Sequence, residues 1–410
     1  MKLHTIGKIP VITGHIPYTR AATVTIWINR GSRDESLPEA HGLTHFLEHM
    51  VFKGTATRTA TDISREIERV GGDLDAFTSR DQLCFIARIP AERIALGIEL
   101  LTDMLTSPSF DPENVELEKS VVREEIRMMR DDPDDSGDEL FMNGIYPEET
   151  LGRSILGTAE TVGRFNPEML RRLLLDCRNP GKMVVSVAGN VDEAEVCRLL
   201  ESLAASAVSG KGDSKQDRPQ PFLPGNRKIN RDGMTAVNVY MGYPLPVPDL
   251  RLRYTISILN TIYGGGMSSR LFQRVREDSG LAYMVFSSPA FFRNEGHLYV
   301  TAGTSPENAR AVMDIMVKEA DSLKETLSET EFEDGRNHLI GKLELSLETS
   351  TSQAMWAAQK FLQYGRIVTP AEAVETIKAI SHREIRELAA RVFNPDKLAT
   401  LMYGNLSASP

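Results

Sequence analysis

The chain has 410 residues, 41% hydrophobic, 25% charged and 7% aromatic, a composition that excludes a collagen-like, low-complexity or wholly disordered protein. Lys and Arg total 47 against 57 Asp and Glu, a net charge of −10 at pH 7. An acidic chain with no basic block is not built to hold a nucleic-acid backbone or an anionic membrane.

The elements then follow in chain order. Residues Ala22–Asn29 alternate as a strand with Val24, Ile26 and Ile28 on one face. A helix is predicted from Gly42 to Phe52, a second over Asp62–Val70, and a strand near Cys84–Ile89 after the Gly71-Gly72 break. Helices read at Ala91–Leu105 and at Pro112–Arg130, the latter opened by an Asp111 cap and a proline at its first position. A helical pattern over Pro167–Cys177 leads into Asn179-Pro180-Gly181-Lys182, an apolar run Met183–Ala188, and Gly189-Asn190. The second half gives a strand at Ala236–Gly242, a helix near Arg251–Ile262, a strand at Leu298–Ala302, and then long helices. After the helical pattern His382–Val392, Asn394-Pro395-Asp396-Lys397, the run Leu398–Tyr403 and Gly404-Asn405 repeat the earlier motif at an offset of 215.

That repeat divides the chain into two related halves, residues 1–208 and 234–410. The polar, breaker-rich stretch 209–233 reads as a linker. Consecutive strands with clustered helices indicate an α+β fold of two sheet-and-helix-layer domains. Three scattered cysteines, Cys84, Cys177 and Cys197, fit a reducing compartment better than a disulfide framework. No run approaches the ~20 apolar residues of a membrane span, and the start lacks an apolar signal core. A cytoplasmic protein is the expectation.

The chemistry concentrates at His45-Phe46-Leu47-Glu48-His49. Residues four apart share a helix face, so His45 and His49 can aim two imidazoles at one tetrahedral ion. Glu48, on the same side, is placed to take a proton from an attacking water. A catalytic zinc takes a third protein ligand. On the helix from Pro112, Glu118 and Glu125 interrupt the apolar stripe, with Val121, Val122, Met128 and Met129 read as its other members. A buried carboxylate is costly unless it binds a metal or a ligand histidine. Glu125 is the predicted third ligand and Glu118 the partner of a ligand histidine.

These residues resemble the pitrilysin/insulinase family of inverted-motif zinc metallopeptidases, with the glutamate 76 positions after the second histidine. Short bacterial members and the β subunit of the mitochondrial processing peptidase are the nearest in style. The similarity extends over His41-Gly42, Phe52-Lys53-Gly54-Thr55, Gly71-Gly72, Ala76-Phe77-Thr78-Ser79 and Val121–Glu125. In the second half it includes Gly265–Phe272 and Gly280-Leu281-Ala282-Tyr283. The resemblance implies a zinc-dependent endopeptidase with one Zn²⁺ per chain held by His45, His49 and Glu125, Glu118 orienting a ligand, and Glu48 as general base. It implies that Arg276 and Tyr283 contact substrate and the developing oxyanion. An extended peptide would lie along Gly72–Ser79, touching Asp75, Ala76 and Phe77, with Phe52 lining the pocket beyond the scissile bond. Asp75 stands where the family commonly has Asn, and Asp135 and Glu139 match positions that read a basic residue. The resemblance implies that this negative charge either favours basic residues near the cleavage site or weakens activity. Aligned on its glycines, the second half has Ser269 and Gln273 in place of the histidines and is a silent repeat. Long members join four such domains into a clamshell, so a two-domain chain would be half of one, paired with itself or a related subunit. The alternative within the family is a non-catalytic scaffold or partner subunit.

Overall fold

The computed structural model describes residues 1–147, 151–208 and 219–406. The chain forms two compact units. One comprises Met1–Met128, Ser154–Gln216 and Ser346–Thr369, the other Met129–Arg153, Asp217–Leu345 and Pro370–Pro410.

The first unit is built on six strands: β1 (Lys2–Ile6), β2 (Ile9–His15), β3 (Ala21–Ile28), β4 (Asp73–Thr78), β5 (Leu83–Pro90) and β6 (Met183–Gly189). Their order is β1-β2-β6-β3-β5-β4. Only β2 and β6 run parallel; the other neighbours are antiparallel. Around the sheet lie α1 (Leu43–Val51), α2 (Ala60–Glu68), α3 (Ile94–Thr106), α4 (Pro112–Asp131), α6 (Ala159–Arg164) and α7 (Pro167–Cys177), while α5 (Pro133–Ile145) belongs to the second unit. The period-two alternation of β3 sends Ala22, Val24, Ile26 and Ile28 into one core with α1, α3, α4 and α7. Its other face, with Trp27, packs with Ile12, Cys84 and Val184 against Ala357 and Ala358.

Those alanines come from far along the chain. After α8 (Glu193–Leu199) and α9 (Glu201–Ala205), the second unit contributes β7 (Gly225–Asn230), β8 (Val237–Leu245), α10 (Leu250–Tyr263), a π-helix at Phe272–Glu277, β9 (Ala282–Phe291) and β10 (Gly296–Thr304). It continues with α11 (Ala309–Thr326) and α12 (Glu329–Ser346); then α13 (Ser350–Tyr364) joins the first unit, before α14 (Pro370–Lys378), α15 (His382–Val392) and β11 (Ala399–Gly404). The second sheet runs β7-β11-β8-β10-β9, with β7 and β11 its parallel pair. That is the order β2-β6-β3-β5-β4 of the first sheet, strand for strand.

The repeated motif has the same geometry twice. Asn179 and Asn394 each accept a hydrogen bond from the N–H two residues on, at 3.0 Å, and open a 3₁₀ turn with proline first. Gly189 and Gly404 end their strands at φ of +150° and +149°. A Cβ there would lie 2.6 Å from the Ala22 Cα and 2.5 Å from the Ala236 carbonyl oxygen, so both positions require glycine.

Two features differ from the sequence reading. Within the stretch read as a linker, residues 209–218 lie outside the described residues, and Gly225–Asn230 is a strand. Its residues are mostly exposed, because an edge strand needs only main-chain bonding to β11 and no buried face of its own. The helices α5 and α13 occupy equivalent places in the repeat, yet each packs on the sheet of the opposite half: α5 against β8 and β11, α13 against β3 and β6. The Thr23 hydroxyl on β3 meets those of Ser350 and Thr351 on α13 at 3.0 Å. The compact units are therefore assembled from both halves of the chain.

Candidate metal centre

Helix α1 starts from Gly42, whose φ is +91°. A Cβ at Gly42 would stand 2.4 Å from the Leu156 carbonyl oxygen. The N–H groups left unpaired at a helix start need acceptors. Glu35, only 3% exposed, supplies them: Oε2 accepts from Gly42 N–H at 2.8 Å and Oε1 from Thr44 N–H at 2.7 Å. Its charge also suits the positive end of the helix dipole. Leu43, Phe46, Leu47, Met50 and Val51 bury one face of α1, which directs His45, Glu48 and His49 to the other.

Helix α4 is capped by Asp111, whose carboxylate accepts the Glu113 N–H at 2.8 Å. Its buried stripe is Val115, Glu118, Lys119, Val122 and Ile126. Val121 and Met128, read from the sequence as members of that stripe, are 50% and 66% exposed. The stripe passes through 118 and 122, so Glu125 sits at its rim, facing α1.

The two helices bring the predicted ligands together. His45 Nε2 lies 3.7 Å from Glu125 Oε1, and His49 Nε2 lies 3.7 Å from Glu125 Oε2. The imidazole centroids are 4.6 Å apart, and the ligand atoms of all three lie within 4.8 Å of one another. At 3.7 Å these are not hydrogen bonds. Neighbouring ligands of a tetrahedral ion with bonds of ~2.0–2.1 Å stand about 3.3 Å apart, so the gap is slightly wider than an ion needs. Glu125 Oε2 is a buried acceptor without a hydrogen-bond partner, a costly state that a cation removes. His49 Nδ1 meets Glu118 Oε1 at 2.8 Å, which fixes its protonated nitrogen and turns Nε2 to the centre. The His₂Glu donor set fits zinc. Among the described residues, no other group of three metal-ligating side chains converges in this way.

The protonation states follow from the same contacts. Burial, and then repulsion by His49, pulls His45 down to about 3, leaving it neutral. Burial also works downward on His49, but the bond to Glu118 and the charges of Glu125, Glu118 and Glu48 outweigh it and raise His49 above its ordinary value. Burial raises Glu125, against the pull of His49. For Glu118 burial acts upward, while hydrogen bonds from His49 and Lys53 prevail and lower it. Burial raises Glu48, partly offset by a hydrogen bond donated by the Thr78 hydroxyl to its Oε2.

An open cleft of about 310 Å³ is lined by Glu48, His49, Phe52, Lys53, Leu74, Asp75, Ala76 and Glu118. Phe52 thus borders the candidate centre, half-buried against the core. Asp75 is exposed and accepts the Ala76 N–H at 2.9 Å. Phe77 is not brought to the cleft. Strand alternation turns it to the opposite face of the sheet, edge-on to Trp27 at 5.5 Å between centroids. Asp135 and Glu139 share a face of α5 in the second unit. Arg276, in the π-helix, lies over the rings of Phe272 and Tyr283 at 4.8 and 5.0 Å, and Tyr283 is 84% exposed.

Element order also revises how the second half aligns. The place of α1, directly after the second sheet strand of the repeat, is taken by α10, not by the segment with Ser269 and Gln273. Helix α10 contains no His, Asp or Glu, so it carries none of the ligating side-chain types that α1 presents. Sequence reasoning passed over Glu35 and the direct partners Lys53 and Thr78. The last two stand inside stretches noted only for their resemblance, and Glu35 lies between the first predicted strand and the first predicted helix.

Comparison with known proteins agrees with this picture. The family model for insulinase (peptidase family M16) matches residues 10–159, and that for the peptidase M16 inactive domain matches residues 164–339. The chain is 32% identical over 394 residues to a protein of Bacillus subtilis named an uncharacterized zinc protease, covering 96% of this chain and 95% of the relative. A Streptomyces coelicolor protein of the same description is 34% identical over 397 residues, covering 94% and 85%. A crystal structure of a protease from Helicobacter pylori superposes with a TM-score of 0.89 at 20% identity, covering 98% of this chain and 99% of that one, and shares the fold. Two matched family models, whole-length relatives above 30% identity and the doubled sheet topology lead to one conclusion: the chain belongs to the insulinase family, peptidase family M16.

Proposed function

We propose that the protein is a zinc-dependent endopeptidase that cuts extended or unfolded polypeptide segments, with one Zn²⁺ per chain on His45, His49 and Glu125. The observation behind this reading is the meeting of two Nε2 atoms and an unpartnered carboxylate oxygen from separate helices, with Glu48 on the same face. Zinc held there supplies Lewis acidity toward a scissile carbonyl and its attacking water. Glu48, raised by burial, accepts the proton of that water and returns it to the leaving amine. The Thr78 hydroxyl holds the Glu48 carboxylate in place during both transfers. Strand β4 ends the first sheet, so its free edge can take a peptide as an added strand leading into the cleft. Asp75 beside that edge favours basic residues in the substrate. Two such chains pair, with each other or with a related subunit, as the resemblance to four-domain family members implies.

The test is direct. The purified protein is expected to contain one zinc per chain and to cleave an unfolded polypeptide. A chelator should abolish cleavage, and stoichiometric Zn²⁺ should restore it. Native mass measured alongside reports the pairing. Absence of bound zinc, or cleavage indifferent to chelation, would overturn the proposal.

A further inference from the structure

Glu118 is held from two sides. Its Oε1 meets His49 Nδ1 at 2.8 Å and its Oε2 accepts from Lys53 Nζ at 2.7 Å. The carboxylate is almost wholly buried, 3% exposed, whereas the Lys53 side chain is 36% exposed. Lys53 lies just past the end of α1, and its backbone is fixed there. Its N–H bonds to the Met50 carbonyl at 3.2 Å, and its own carbonyl accepts from Asn114 of α4 at 3.4 Å. Gly54 follows at φ +116° and turns the chain away. One residue therefore ties the end of the histidine helix to the helix that bears both glutamates.

A carboxylate with one oxygen bonded to an imidazole can still swing about that contact. A second donor on its other oxygen removes the freedom, and the ring it holds is then fixed in both tautomer and tilt. We infer that Lys53 is a positioning residue for the metal centre, acting through Glu118 to keep His49 Nε2 aimed at the ion. The inference rests on the zinc site of the proposed function. Lys53 borders the cleft but does not ligate the metal in this scheme, and it reaches the centre only through Glu118. A solvated surface lysine would predict no effect on metal binding.

The experiment compares the parent with Lys53→Met, which keeps the length of the stem and removes the ammonium, and with Lys53→Arg. Zn²⁺ affinity is measured by chelator competition, and the visible spectrum of the Co²⁺-loaded proteins reports ligand geometry. Lys53→Met is expected to weaken Zn²⁺ binding about 10–100-fold, the usual effect of losing a partner of a ligand, and to alter the Co²⁺ spectrum. Lys53→Arg is expected to restore most of the affinity. Circular dichroism of the metal-free variants separates this from a folding defect. If Lys53→Met does not fold, Lys53→Gln takes its place in the same assay. Parent-like Zn²⁺ affinity and Co²⁺ spectrum in the folded variant would overturn the inference alone. A parent protein that takes up no zinc would overturn the proposed function as well.

Discussion

Glu48 is a carboxyl group that feels the charges of His49, Glu125 and Asp75, raised by burial and steadied by Thr78. Glu48→Gln keeps the shape and loses the base. Zinc content by atomic absorption should be unchanged, while kcat falls by at least about 10²–10⁴-fold, the usual share of general acid–base catalysis. Thr78→Val removes a hydrogen bond to a charged group, worth roughly 1.5–3 kcal/mol. Zinc should again be retained, with kcat down on the order of tenfold or more; unchanged kcat would mean the contact does not matter in the reacting complex. The histidines make a prediction about protons. In the metal-free centre His49 is raised and His45 is neutral, and a ligating imidazole must be neutral. At any pH below that raised value zinc binding should therefore expel a proton from His49, and affinity should weaken as pH falls. Calorimetry in two buffers of different ionisation enthalpy measures the release; equal heats in both would contradict it.

At the scale of elements, α1 is aimed by what holds its first turn. Glu35→Ala leaves the Gly42 and Thr44 N–H groups without their acceptor in a buried setting, at a cost of about 1–3 kcal/mol. The expected result is a lower Tm with weaker zinc binding, checked by thermal unfolding with and without metal; an unchanged Tm would show that other groups cap the helix. This support illustrates what the sequence can and cannot reveal. His45, Glu48 and His49 were legible because helical spacing puts them on one face, and Glu125 because its carboxylate breaks an apolar stripe. The repeat was legible because Asn-Pro and a strand-end glycine recur with a geometric purpose. Glu35, Lys53 and Thr78 were not, since each acts across a tertiary contact that no local period encodes. Strand β7 was hidden by its polar edge, and β1 and β2 lay in a start searched only for an apolar leader. Phe77 was named as a peptide contact by resemblance, and the pleat alone puts it on the other face from Ala76.

For the whole molecule, the exchange of α5 and α13 makes each compact unit dependent on both halves. Trp27, Ile12 and Val184 are covered by Ala357 and Ala358 of α13. A fragment of residues 1–208 thus leaves one face of its sheet bare. That fragment is expected to aggregate or to bind a hydrophobic dye, and co-expression with residues 219–410 should rescue it. A soluble, cooperatively melting, dye-free fragment would contradict the prediction.

The same exchange sets a schedule at the ribosome. Strands β1 to β6 are all synthesised by residue 189, yet the helix that shields their far face ends at residue 364. At about 5–20 residues per second, translation of the intervening stretch takes roughly 9–35 s. Throughout that interval the nascent sheet presents Trp27 and its neighbours to whatever is nearby, so a chaperone that binds aromatic and aliphatic surface has a defined time window in which to act.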